Sequence, residues 1–119
     1  MMGREVIKFL VQGSQPKPYV VKFYLDDGSL KASCTCQAGE MGSYCKHRLR
    51  ILLGNPVAIV SKNLEDVEVI AQFLKTSDLS LPVQEFLDAE IALAVAKRNL
   101  SKKTKRLSAA LLGRKKQQR

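Results

Sequence analysis

All three cysteines and the single histidine of this 119-residue chain fall within fourteen residues, as Cys34-Thr35-Cys36 and Cys45-Lys46-His47. Three thiolates and one imidazole complete a tetrahedral shell for Zn²⁺. Soft sulfur and imidazole donors select zinc over the hard cations Mg²⁺ and Ca²⁺. The set uses every thiol and every imidazole in the sequence, so no coordination position is left open, and a closed shell is structural rather than catalytic. Two weaker readings stand beside it. An iron–sulfur centre is a poor match to Cys-x-Cys with one His, and a disulfide between two of the three thiols requires an oxidising compartment.

Such a site needs elements that aim the donors at one point. Residues i and i+2 of a strand point to the same side, so a strand continuing from Leu30 to Cys36 brings Cys34 and Cys36 together. On a helix i and i+2 diverge. Cys45 is therefore expected just before a helix and His47 in its first turn, with the helix N-terminus and the charges of Lys46, Arg48 and Arg50 favouring the thiolates.

The surrounding sequence supplies these elements. Residues 5–11 read as a strand, and Ser14-Gln15-Pro16-Lys17-Pro18 as a loop. Tyr19, Val21, Phe23 and Leu25 alternate with polar neighbours along a second strand. Asp26-Asp27-Gly28-Ser29 is a hairpin turn, and Leu30, Ala32 and Cys34 share one side of the return strand. Gly39 and Gly42 suggest an irregular loop. Leu49, Leu52 and Leu53 then follow helical spacing until Gly54-Asn55-Pro56 ends the helix. Val57 to Val60 is apolar but of ambiguous type.

Asn63 is expected to cap a second helix with the apolar stripe Leu64, Val67, Ala71 and Leu74. Pro82 fits the first turn of a third helix. Its face Val83, Phe86, Leu87, Ile91, Ala94 and Val95 is read as core or, failing that, an intersubunit surface. From Ser101 the chain either extends this helix or forms another.

The pattern Cys-x-Cys, an eight-residue gap and Cys-x-His resembles the SWIM-type zinc finger. The flanks agree: a Tyr-Val-Val-Lys-Phe strand, an Asp-Gly turn, and Tyr-Cys-Lys-His before a leucine-rich helix. The resemblance covers about residues 19–53. It implies a ββα unit with zinc joining hairpin to helix, Cys34, Cys36, Cys45 and His47 as ligands, and a role in binding DNA or protein. The expected fold is α+β: a small antiparallel sheet and a helix clipped by one zinc, then two C-terminal helices. The expected organisation is a finger with its N-terminal strand over 1–56, a helical extension over 57–96 and a basic helix or tail over 97–119.

Charge is unevenly distributed. Residues 1–96 carry 10 basic and 11 acidic side chains, whereas 97–119 carry 10 basic and none acidic, so the formal +9 resides in the last segment. Lys97, Arg98, Lys102, Lys103, Lys105, Arg106, Arg114, Lys115, Lys116 and Arg119 make that segment a candidate for phosphate-backbone attraction. Lys46, Arg48 and Arg50 are weaker candidates, because charges on a short helix are usually its wet side. The expected partner is nucleic acid, DNA ahead of RNA. The alternative is a protein adaptor that docks through its helical faces and basic tail. An anionic membrane surface is a lesser reading.

No apolar run reaches the roughly 18–20 residues of a membrane span. Lys8 interrupts the run near the N-terminus and no small-residue cleavage site follows, so a signal peptide is not expected and the setting is read as cytoplasmic. Enzyme activity is not expected either. There is no Gly-rich phosphate loop and no serine-hydrolase elbow. Asp26 and Asp27 read as turn residues, and Glu40 as a loop carboxylate facing solvent.

Overall fold

Alternation along the first three apolar segments produces a sheet with one buried face. In this computed structural model, which describes residues 4–113, the strands are β1 (Glu5–Val11), β2 (Tyr19–Asp26) and β3 (Ser29–Cys34). They pair antiparallel in the order β1-β2-β3. The register sets Ile7 against Phe23, Phe9 against Val21, Val21 against Cys34 and Leu25 against Leu30. Each of these side chains is buried. Phe9 and Phe23 meet edge to face, 6.0 Å between ring centres. The hairpin turn has Gly28 at φ 80°, the left-handed conformation that glycine adopts at no steric cost.

Four helices follow: α1 (Gln37–Glu40), α2 (Lys46–Leu52), α3 (Asp66–Lys75) and α4 (Ser80–Leu111). Ile51 and Leu52 of α2 and Val67 and Ile70 of α3 complete the core. Helix α2 stops where its sequence says it should. Gly54, at φ 83°, donates to the Ile51 carbonyl at 2.9 Å, and Asn55 donates to the Arg50 carbonyl at 2.9 Å. This pair of bonds satisfies two carbonyls that a helix end leaves open.

Both edges of the sheet are tied down, which removes the hazard of an open strand. The ambiguous apolar segment lies along β1: Gln12 donates to the Ala58 carbonyl, Val60 donates to the Leu10 carbonyl, and Val11 bridges Ile59. At the other edge, Asp78 accepts from the Leu30 amide at 3.0 Å, and its own amide donates to the Gly28 carbonyl at 2.9 Å.

The expected α+β architecture is present, with five local differences. Strand β3 ends at Cys34 rather than Cys36. Residues 37–40 form a helical turn instead of an irregular loop. Asn63 does not cap α3. Its amide donates to the Lys8 carbonyl and to Asp66, its oxygen accepts from Ser61, and the helix starts three residues later. The buried stripe of α3 centres on Val67 and Ile70, while Leu64 lies outside the helix and is half exposed. The third apolar stripe is not core along its length: Ile91 is 63% and Val95 41% exposed.

The chain divides into two compact units, one ending at Leu81 and the next beginning at Pro82. The first holds the sheet, α1, α2 and α3. The second is α4, which continues unbroken through the start of the basic segment. Among the described residues no helix is long and apolar enough to cross a membrane.

Candidate metal centre

Strand β3 delivers Cys34 to the buried face at its last residue. Two residues on, Cys36 caps α1 in an extended conformation, φ −67° and ψ 163°. Its Sγ accepts from the Gly39 amide at 3.3 Å, and its own amide donates to Cys34 Sγ at 3.5 Å. Cys36 thus reaches the site from a helix cap, not along the strand as expected. The turn of α1 lies so close to β3 that a Cβ on Gly39 would sit 2.4 Å from the Cys34 carbonyl oxygen. The chain returns at Cys45, the extended residue preceding α2, and His47 follows in the first turn, as the i/i+2 argument requires.

Cys34, Cys36 and Cys45 are buried and His47 is half-buried. Their four donor atoms lie within 4.8 Å of one another. His47 Nδ1 is 3.7 Å from Cys34 Sγ and 3.7 Å from Cys45 Sγ. Zn–S bonds of about 2.3 Å and Zn–N bonds of about 2.0–2.1 Å give a tetrahedron with N–S edges of roughly 3.6 Å. The donor set therefore fits one tetrahedral zinc ion without rearrangement of the histidine.

The surroundings differentiate the ligands. Burial pushes the Cys34 thiol up to about 12, against the lowering effect of the Cys36 amide. Burial also acts to raise Cys45, but hydrogen bonds from the Arg48 backbone and guanidinium outweigh it, and the net shift is downward. His47 is lowered by burial and by the charges of Lys46 and Arg50, which favours the neutral imidazole that binds metal. Tyr19 packs on the His47 ring at 5.0 Å between centres and limits its rotation.

Residues 19–53 match the family model of the SWIM zinc finger. This segment is a SWIM zinc finger. The finger and its Cys₃His cluster carry one structural zinc. No curated protein and no solved structure matches the chain.

The basic candidates are placed in two ways. Within the SWIM finger, Lys46 is exposed, whereas Arg48 and Arg50 are half-buried. The Arg48 guanidinium donates to the Ser43 carbonyl and, at 3.5 Å, to the Ala32 carbonyl. It braces the zinc loop against β3 rather than facing solvent, a role that its position among the basic candidates did not reveal. Lys97, Arg98, Lys102, Lys103, Lys105 and Arg106 are all exposed on α4. Arg114, Lys115, Lys116 and Arg119 lie outside the described residues. Lys46, Arg48 and Arg50 belong to the first compact unit and the α4 cations to the second.

Proposed function

We propose that this chain is a nucleic-acid-binding accessory protein in which zinc, held by Cys34, Cys36, Cys45 and His47, is purely structural. The basic half of α4 makes the phosphate contacts. The observation that carries this reading is the arrangement of cations on one continuous helix. Lys102 lies four residues after Arg98, and Lys105 and Arg106 lie three and four after Lys102, so all four fall on one side of the helix. No acidic residue occurs from 97 onward. An exposed one-signed face of this kind attracts the phosphate backbone and releases counterions. Lys46 of the finger is a secondary contact. DNA is the first partner to test.

The chain is not an enzyme on this reading, because the only imidazole and all three thiols are taken by the metal. Three cysteines held by a metal, with no disulfide among them, also suit a reducing, cytoplasmic setting.

The test is anisotropy titration of labelled duplex DNA, single-stranded DNA and RNA across a range of salt. Four phosphate contacts predict a slope of log K against log salt of about −3 to −4. Alanine at Arg98, Lys102, Lys105 and Arg106 together should flatten it. Unchanged binding by that variant would remove the α4 interface. No binding to any nucleic acid at low salt would favour the protein-adaptor reading.

A further inference from the structure

Helix α4 carries a second pattern that phosphate binding does not use. Ala89, Leu93, Ala96, Leu100, Leu107 and Leu111 recur at spacings of three, four and seven, which keeps them on one side of the helix. All six are exposed; Leu93 is 56%, Leu100 67% and Leu107 61% accessible. Lys103 and Thr104 straddle the gap between Leu100 and Leu107, so only Lys103 brings a charge to the edge of the row. Exposed rows of this length on a soluble helix mark an interaction surface.

The charges beside the row specify what covers it. Residues 80–96 contain Glu85, Asp88 and Glu90 and no basic residue; residues 97–111 contain six basic residues and no acidic one. With 3.6 residues per turn, Glu85 and Lys103 flank the row on one side, and Glu90 and Lys97 flank it on the other.

We infer that α4 pairs with α4 of a second copy, antiparallel, along this row. A two-fold axis perpendicular to an antiparallel pair keeps each flank facing the same flank of the other copy. Glu85 then meets Lys103 and Glu90 meets Lys97. Both pairs require the axis at the same place, beside Leu93 and Ala94. That register also sets Leu93 against Ala96 and Leu100 against Ala89, so each large side chain faces a small one, as knobs-into-holes packing requires. A parallel pair would bring Glu85 to Glu90 and Lys97 to Lys103, like against like, which the interface would resist. Within α4 this register overlaps residues 80–108; its large-against-small contacts run from Ala89 to Leu100, about 12 residues or roughly 18 Å of helix, and Leu107 and Leu111 lie beyond them. Arg98, Lys102, Lys105 and Arg106 face away from the seam, so this inference stands independently of nucleic-acid binding.

The experiment is sedimentation equilibrium on the full zinc-loaded chain and four variants. Wild type should show a concentration-dependent doubling of mass. Glu85→Lys with Glu90→Lys, or Lys97→Glu with Lys103→Glu, should weaken association about tenfold or more at low salt. All four changes in one chain should restore self-association. A mixture of wild type with that fourfold variant should not form mixed dimers, since every flank pair in the antiparallel hybrid is like-charged. Leu93→Glu should abolish dimers while leaving zinc content and finger melting unchanged, because Leu93 is outside the core. A wild-type mass that stays monomeric up to about 1 mM, the weak end of measurable affinity, would overturn the inference. So would indifference to the paired reversals, or preferential mixed dimers, which are the signature of a parallel pair.

Discussion

Gly39→Ala tests whether α1 is seated against β3 as tightly as zinc binding requires. The added Cβ would meet the Cys34 carbonyl oxygen at 2.4 Å, Cys34 Cβ at 2.9 Å and the Cys34 carbonyl carbon at 3.0 Å. These atoms are backbone or the first atom of a buried ligand, so none can swing aside. Relief requires α1 to retreat from β3 by several tenths of an ångström, carrying Cys36 away from Cys34. Overpacking of this kind costs about 1–3 kcal/mol. Metal-binding free energy in a small finger is also folding free energy. The penalty should therefore appear as a loss of apparent zinc affinity of roughly 5- to 150-fold, at 1.4 kcal/mol per tenfold. Competition against a chelator of known affinity measures it. Gly42→Ala is the control. A Cβ there meets nothing within 4 Å, and only its φ of 76° is unfavourable. It should cost about 1–2 kcal/mol of left-handed strain, which by the same linkage lowers apparent zinc affinity about 5- to 30-fold but displaces no ligand. Wild-type zinc affinity in Gly39→Ala, or a larger loss in Gly42→Ala, would refute the reasoning.

Zinc affinity should rise with pH across the neutral range, because the Cys34 thiol, pushed up to about 12 chiefly by burial, keeps its proton until metal displaces it; calorimetry in buffers of different ionisation enthalpy counts the released protons, and a pH-independent affinity would contradict this. The same raised pKa means that the metal-free finger loses stability as pH climbs through the range between the ordinary thiol value of 9.0 and about 12, since the folded state holds its proton more tightly than the unfolded one. Asp78 is lowered by the Leu30 amide, against slight desolvation and with help from Lys31, so its contribution is present above the ordinary carboxylate range and lost as pH falls through its depressed folded value. Asp78→Asn should flatten that acid limb of a thermal-melting series and lower stability at neutral pH; an unchanged acid limb would exclude Asp78 as its source. Ala58 sits at φ 68°, where an L-residue is strained by about 1–2 kcal/mol, so Ala58→Gly should stabilise by up to about 1 kcal/mol after the entropy cost of glycine, read from urea midpoints; clear destabilisation would count against the strained geometry.

The sheet was legible in the sequence because burial on one face imposes strict alternation, and Ile7, Phe9, Val21, Phe23 and Leu30 obey it. The donor set was legible because its residue types are scarce and clustered. What local pattern could not convey was the reason for a residue. Gly39 reads as a sign of irregular backbone, yet it stands inside a helical turn where only a hydrogen fits against Cys34. Asn63 has the chemistry of a cap, but tertiary partners at Lys8 and Ser61 take its side chain. The stripe of α4 shows its amphipathic character in the sequence, but periodicity cannot tell a face covered by the same chain from one left to solvent, and Ile91 and Val95 are left to solvent.

On the proposed reading, Arg48 serves the finger as a brace and not as a phosphate contact. A seven-residue helix such as α2 has little stability of its own, and its buried apolar residues, Ile51 and Leu52, lie at its C-terminal end. The N-terminal end depends on zinc and on the Arg48 guanidinium, which holds the Ser43 and Ala32 carbonyls and favours the Cys45 thiolate. Arg48→Ala should therefore weaken zinc binding rather than a phosphate contact. Three thiolates around one Zn²⁺ also leave a net −1 at the start of α2, which offsets the exposed Lys46. A polyanion gains little there, whereas on α4 the cations oppose no acidic group from residue 97 onward. Metal and cations thus favour different places for scaffold and contact, and the salt slope of the α4 alanine variant, set against the zinc affinity of Arg48→Ala, separates the two roles in the full chain.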